Sequence, residues 1–167
     1  MTVMINVKML LTATLILFGM TAVSHAEMAK AKTVEAGANN VIVTKSSPHS
    51  VSETLDRLAV LVQKRGMTVF ARIDHKKNAK AVGKMITASQ VLIFGSANVG
   101  TRVMWHDPKA ALDLPLRVLS YEDADDKVWV VYRRPMALNN DFTVSQCASI
   151  LDMENALDQL TNEVIKK

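Results

Sequence analysis

The sequence predicts an α+β protein: a single sheet of about five strands with helices packed against it, in two layers. Two observations support this fold class. Short β-branched or alternating apolar segments are typical of strands, and longer segments repeat apolar residues at helical spacing. Their order along the chain is β-α-β-α-β-(α)-β-β-α, and one sheet with helices against it buries these apolar faces economically. The length of 167 residues suits one such domain.

The first 26 residues have the pattern of a secretory signal peptide. Lys8 precedes an apolar run of about 15 residues, from Met9 to Val23. Ser24 and Ala26 then place small side chains where a signal peptidase requires them, and we expect cleavage after Ala26. An uncleaved anchor is the alternative, but the run is shorter than the roughly 20 residues that span a bilayer. The prediction is a periplasmic or secreted protein with no membrane span after cleavage.

The rest of the chain divides into a leader and one domain. Residues 27–40 are small, polar and aperiodic, which is typical of a flexible leader. Residues 41–167 hold all the strand and helix patterns of the mature chain, so we expect one α+β domain there. Its last element is a helix over about 143–165, where Thr143 and Gln146 form a capping box ahead of a helical apolar pattern.

The first half of the domain predicts alternating strands and helices. The β-branched run Val41–Val43 begins a strand. Ser50 and Glu53 form a capping box that opens a helix, and Gly66 ends it. An alternating strand is expected over residues 67–74 and a short basic helix over residues 75–84. A strand covered on both faces is expected over residues 91–94.

The alternating strand places Met67, Val69, Ala71 and Ile73 on one face. The short basic helix is expected to pack through Ala79, Val82 and Met85.

The second half of the domain predicts a short helix and a hairpin. The helix runs from Asn98 to Asp107. Two strands follow over 116–122 and 127–133, and the acidic residues of 123–126 form the turn between them.

Composition excludes several classes of function. The chain has 20 Lys and Arg against 16 Asp and Glu, a net charge of +4, and no run of basic residues exceeds two. This mild charge on an exported protein gives no reason to expect nucleic acid as a partner. Because Cys147 is the single cysteine, an internal disulfide and a cysteine-based zinc cluster are excluded. We expect Cys147 to be a buried, inert thiol.

A series of short signatures runs from Glu53 to Tyr132. They are, in chain order, Glu53-Thr54 with Leu58, Gly66 to Phe70, Ala71 to His75, Leu92 to Gly95, Gly100-Thr101, Asp113 to Leu116, and Glu122-Asp123 before Val128-Trp129. In this order and spacing the chain resembles the domain of unknown function 302 family. The resemblance implies a compact α+β domain, often dimeric, and it brings no established activity that we can transfer.

Asp74 and His75 are the most suggestive pair for catalysis. A carboxylate and an imidazole at a strand-to-helix junction provide a general base and its orienting partner. Asp113 and Glu122 are further carboxylate candidates for such a mechanism. The alternative is structural, because Asp is a preferred helix cap and His75 is then a solvated residue of the first helical turn.

We expect a binding cleft where the strands end, because sites are commonly built from loops that follow strands. The predicted binding residues share this position: Asp74, His75, Phe94, Gly95 and Thr101.

His75 and His106 are the candidate ligands for a metal or haem. Two histidines with a carboxylate can bind zinc or non-haem iron, but the sequence lacks the close HxH or HExxH spacing. We therefore predict no metal site and no cofactor.

These observations favour a non-enzymatic, dimeric module of the bacterial envelope that binds a ligand or a protein partner. The first alternative is a hydrolase- or isomerase-type enzyme that uses His75 with a carboxylate. The second is a protein that handles a metal or haem.

Cleavage after Ala26 is tested by intact mass. Protein expressed from the full sequence in a Gram-negative host should begin at Glu27. Ala26→Gln places a long polar side chain in the peptidase pocket, so we expect the uncleaved mass to accumulate. Thr33→Gln, which lies beyond the cut, is the control and should be processed normally. A full-length mass for the unmodified protein in the soluble fraction would contradict the prediction.

Overall fold

The computed structural model describes residues 41–167, which form one antiparallel five-stranded sheet in the order β1-β5-β4-β3-β2. The strands are β1 Ile42–Ser47, β2 Thr68–Asp74, β3 Ser89–Gly95, β4 Leu116–Glu122 and β5 Val128–Arg133. The helices are α1 Val51–Lys64, α2 His75–Ala81, α3 Ala97–His106 and α4 Ala148–Val164. The predicted fold class and the hairpin of β4 and β5 are confirmed, whereas the predicted signal peptide and leader lie outside the described residues.

Both long helices cover the same face of the sheet, which we call the inner face. α1 contacts β2, β3, β4 and β5, and α4 packs beside α1. Their apolar stripes pack on the strand residues of this face and form one core with them. The buried residues of this core, from both the helices and the strands, are Leu55, Leu58, Val62, Leu92, Phe94, Val118, Val130, Tyr132, Leu157, Leu160 and Val164. We call the opposite side of the sheet the outer face. No helix within residues 41–167 is long and apolar enough to span a bilayer.

α1 has the ends that its sequence predicts. The Ser50 hydroxyl accepts a hydrogen bond from the Glu53 amide at 3.2 Å, which satisfies one of the unpaired donors of the first turn. Gly66 has a φ of 71°, the left-handed conformation that ends a helix at low cost.

A β-bulge divides β2 between Val69 and Ala71. Val69 lies opposite the buried Phe94 and therefore on the inner face, whereas Ala71 and Ile73 lie opposite Ile93 and Val91 on the outer face. The prediction that Val69, Ala71 and Ile73 share a face is therefore wrong, because the extra residue of a bulge reverses the alternation.

Two packing predictions for the middle of the domain are also wrong. β3 was expected to be covered on both faces, but only Leu92 and Phe94 are buried, and both lie on the inner face. α2 ends at Ala81, and the expected inner residues Val82 and Met85 are 72% and 84% exposed.

α4 begins at Ala148 rather than at residue 143, so the predicted capping box is wrong. The Thr143 amide donates to the buried Asp107 carboxylate at 3.1 Å instead of opening a helix. Cys147 is the N-cap residue and, as expected, is buried. The segment before α4 therefore belongs to a second core, which joins α3 and α4 through Val103, Ala110, Leu138, Val144, Cys147, Ile150 and Met153.

Candidate functional site

An apolar groove lies between the ends of β2 and β3, the loop before β4, and helices α3 and α4. Its volume is about 520 Å³. Larger apolar side chains form most of its wall: Met67, Phe70, Met104, Leu114, Pro115 and Met153. We call this feature the strand-end groove.

Local structure explains how the strand-end groove stays open. The β-bulge turns Phe70 out of the alternation of β2, and its side chain is 55% exposed beside the groove. Gly100 lies on the α3 wall, where an added Cβ atom would contact the Leu114 Cδ1 atom at 3.9 Å. A side chain larger than alanine at this position would therefore have to displace Leu114 or enter the groove.

Three polar side chains of the strand-end groove have a local partner or are exposed. The Arg65 guanidinium pairs with the Glu163 carboxylate at 3.1 Å. The Ser96 hydroxyl accepts from the Val99 amide at 3.5 Å and caps α3. Asp152 is exposed on the first half of α4. The groove thus offers mostly apolar contact, and Thr101 adds a hydroxyl group to its lining.

The buried Asp107 carboxylate joins the end of α3 to the loop before α4. Asp107 follows α3 and accepts from the Lys109 amide at 3.0 Å and the Thr143 amide at 3.1 Å. The hydrogen bond from Thr143 is the main cause that lowers the pKa of Asp107, and it outweighs the opposing effect of desolvation. The ionised form therefore holds the loop before α4 against the end of α3.

Gly95 and Thr101 are the two predicted binding residues that line the strand-end groove. Phe94 does not, because its side chain points to the inner face and is 0% exposed in the core under α1.

Asp74 and His75 lie at the far end of β2. This strand runs from Thr68, opposite Gly95, to Asp74, opposite Gln90, a distance of about 20 Å at the usual rise per residue. The predicted single cleft that would join Asp74 and His75 to Gly95 is therefore wrong.

The environment of Asp74 matches the structural interpretation. Its carboxylate accepts from the Lys77 amide at 2.8 Å and from Gln90 Nε2 at 3.2 Å, so it caps α2. The His75 side chain is exposed. Within residues 41–167 the histidine that pairs with a carboxylate is His49, whose Nδ1 lies 3.2 Å from Glu53.

The other predicted site residues are also separated. Asp113 lies 3.5 Å from Arg117 in a second groove that opens on the outer face. Glu122 ends β4 beside the acidic turn, near the Asp74 end of the sheet. His106 is an exposed residue at the end of α3. In the described part of the chain no three His, Cys, Asp or Glu side chains are arranged to hold a metal ion.

Sequence reasoning missed most of the groove wall. Phe70, Met104 and Met153 come from three distant elements, and each was compatible with ordinary core packing. The signal that was available lay in the family signatures: the segments Gly66 to Phe70 and Asp113 to Leu116 both contribute to the wall.

The fold and groove define a class of protein: a small α+β domain with one antiparallel sheet, helices on one face, and an apolar groove at the strand ends. Residues 43–164 match the family described as "Domain of unknown function DUF302". The chain belongs to this family, which confirms the resemblance. A crystal structure of an uncharacterized conserved protein DUF302 from Bacillus stearothermophilus has a TM-score of 0.60 and 13% identity, and the match covers 75% of this chain and 95% of that one.

Curated relatives match over a shorter stretch. The fluoride-specific ion channel FluC 1 of Brucella suis biovar 1 is 40% identical over 94 residues, which are 56% of this chain and 37% of that protein. FluC 2 of Brucella melitensis biotype 1 is also 40% identical over 94 residues, or 35% of its length. The chain thus matches only about a third of the length of these relatives.

The ionised Asp107 predicts a specific dependence of stability on pH. Because its pKa is lowered by folding, the carboxylate stabilises the fold above its unfolded pKa of about 3.9, and this contribution is lost as the pH falls through the lower folded pKa. Asp107→Asn should therefore be less stable than the unmodified protein near neutral pH, and the difference should shrink between about pH 5 and about pH 2.

Urea unfolding across this range measures the difference. Asp141→Asn, at an exposed residue of the same region, is the matched control and should track the unmodified protein. A destabilisation by Asp107→Asn that is the same at every pH would contradict the role of the charge.

Proposed function

We propose that this protein is an exported, non-enzymatic module of the bacterial envelope that binds a small apolar or amphipathic molecule in the strand-end groove. The observation that carries the proposal is the groove itself, an open space of about 520 Å³ whose wall is mostly apolar. Small-molecule sites commonly have volumes of about 300 to 1,000 Å³ and predominantly apolar walls.

The chemistry of the wall supports an apolar occupant. Met67, Met104 and Met153 present flexible, polarizable thioethers that adapt to irregular apolar shapes. Phe70 adds an exposed aromatic ring at the open side. Since Arg65 is already paired with Glu163, the groove lacks a free charge at that point to select a strongly charged ligand. A molecule with an acyl chain or an aromatic body fits this description.

The family signatures support the same location. Segments that carry the resemblance lie far apart in the chain, and several contribute residues to the strand-end groove: Gly66, Met67, Phe70, Gly95, Gly100, Thr101, Leu114, Pro115 and Leu116. A core alone would not require these segments to meet at an open surface.

The place of action is part of the proposal and rests on the predicted signal peptide. The relatives named as fluoride-specific ion channels share about a third of their length with this chain. A domain of this family within a chain named as an ion channel agrees with a role in the envelope, and we transfer no fluoride conduction from it.

The enzyme alternative pairs His75 with a carboxylate, and two of the three candidates have other partners. Asp113 lies beside Arg117 in the second groove, and Asp74 caps α2. Glu122 ends β4 near the Asp74 end of the sheet. A binding module needs no such pair, so the geometry favours binding.

Titration with the fluorescent probe ANS, followed by competition with dodecanoate, tests the groove. The unmodified protein should bind the probe and release it to dodecanoate. Gly100→Leu should lower probe affinity at least about tenfold, because the new side chain fills the space beside Leu114. Its stability should be kept, since replacing a helical glycine favours the helix.

Two matched variants separate filling of the groove from other effects. Gly100→Ala adds only a Cβ atom at ordinary contact distance, so it should keep the probe affinity. His75→Ala alters the first residue of α2, beyond the far end of β2, and should also leave the probe affinity unchanged. Equal binding by Gly100→Leu and the unmodified protein, with both folded, would contradict the proposal.

A further inference from the structure

The connection between β2 and β3 concentrates positive charge. We call residues 75–87, which comprise α2 and the residues that follow it, the basic segment. It contains no acidic residue and four lysines, all exposed: Lys76, Lys77, Lys80 and Lys84. Within residues 41–167 the ion pairs are formed by other cations, so these four ammonium groups have no carboxylate partner in that part of the chain.

The basic segment also exposes apolar side chains next to the lysines. Val82 is 72% exposed, Met85 is 84% exposed and Ile86 is 44% exposed. α2 has no buried residue, and of residues 75–87 only Ala79 is half-buried. Neighbouring apolar side chains that remain in water beside a charged border are a feature of interaction surfaces.

Local hydrogen bonds hold the basic segment in one conformation although it buries almost nothing. A helix of seven residues is not stable by itself in water. The Asp74 carboxylate caps its start by accepting from the Lys77 amide at 2.8 Å. At its end Gly83 has a φ of 70°, and the Lys84 amide donates to the Ala79 carbonyl at 2.9 Å. The lysines and the apolar side chains are therefore displayed together before any partner binds.

We propose that the basic segment docks the protein on a membrane surface that contains anionic phospholipid. The lysine ammonium groups pair with lipid phosphates, and each such lysine adds to the attraction. Val82, Met85 and Ile86 enter the boundary between the headgroups and the acyl chains. The long lysine stems permit both contacts at once, because an ammonium group can stay at the headgroup level while its stem lies beside apolar neighbours.

The shape of the basic segment favours lipid over a folded protein as the partner. Since every residue of 75–87 except Ala79 is exposed, the segment protrudes from the sheet end. A protein partner needs a surface of matching shape, whereas a fluid bilayer adapts to a protruding patch. The strand-end groove lies at the opposite end of β2, so this proposal stands independently of ligand binding there.

The acidic turn of residues 123–126 is the opposing charge at this end of the sheet. It joins β4 to β5, whereas the basic segment joins β2 to β3. Asp123 is occupied by the Trp129 indole N–H at 2.6 Å, but Asp125 and Asp126 are exposed. Exposed carboxylates repel an anionic surface. Asp125→Asn combined with Asp126→Asn should therefore strengthen lipid binding, and weaker binding would contradict the proposal.

Cosedimentation with lipid vesicles tests the charge of the basic segment on protein expressed from the full sequence. The unmodified protein should bind vesicles that contain phosphatidylglycerol, less strongly as salt is raised, and should not bind vesicles of phosphatidylcholine alone. Lys76→Gln combined with Lys80→Gln should lower the binding constant about thirtyfold.

Lys64→Gln combined with Lys109→Gln is the matched control. It removes the same charge from exposed lysines of α1 and the segment after α3. We expect binding within about threefold of the unmodified protein, because charges far from the contact are screened by salt. Circular dichroism establishes that both double variants are folded.

Met85→Ser tests the apolar contact without changing the charge. Since Met85 is exposed, folding is not at risk, and vesicle binding should weaken at least about threefold. Leu112→Ser is the matched control, because Leu112 is 79% exposed next to Ala111 of the strand-end groove, and it should bind as the unmodified protein does.

Three results would overturn the proposal: no binding to vesicles with phosphatidylglycerol, equal binding to vesicles without it, or equal loss of binding in the two double lysine variants. The first would assign the basic segment to an acidic protein surface instead. Probe binding in the strand-end groove is measured without vesicles, so either proposal can fail while the other holds.

Discussion

The packing of α1 and α4 on one face of an antiparallel sheet is the constraint on which the other features of this domain depend. Both long helices bury their apolar stripes on the inner face, and no comparable layer covers the outer face within residues 41–167. An antiparallel sheet tolerates such one-sided cover. Because α4 also packs on α3, the same arrangement forms one wall of the strand-end groove. The proposed binding groove thus follows from how the helices are distributed.

The sequence predicted the parts of the fold that local interactions determine. The cap at Ser50, the left-handed Gly66 and the acidic turn between β4 and β5 all depend on neighbours within a few residues. Predictions were wrong where a distant group decides. The Thr143 amide donates to the Asp107 carboxylate, which lies 36 residues away in the sequence, and α4 begins only at Ala148. The local capping pattern at Thr143 gives no indication of this long-range hydrogen bond. The bulge in β2 likewise depends on pairing with β3.

The candidate site was predictable only in part for the same reason. Gly95 and Thr101 line the strand-end groove. Their position near a strand end was accessible from sequence, because a glycine after an apolar strand marks such an end. Asp74 and His75 were candidates because a carboxylate next to an imidazole suits acid–base chemistry. In the structure the Asp74 carboxylate caps α2. Because β2 and β3 are antiparallel, Asp74 and His75 lie at the opposite end of the sheet from Gly95. The methionines of the groove wall gave no distinctive signal, since methionine is common in cores.

Native mass spectrometry of the protein released from the envelope of its own host is the most direct test, because the spectrum retains a bound small molecule. We expect processed chains that carry one small apolar molecule each, which collisional activation removes. Processed chains with no added mass at any protein concentration would contradict binding in the strand-end groove.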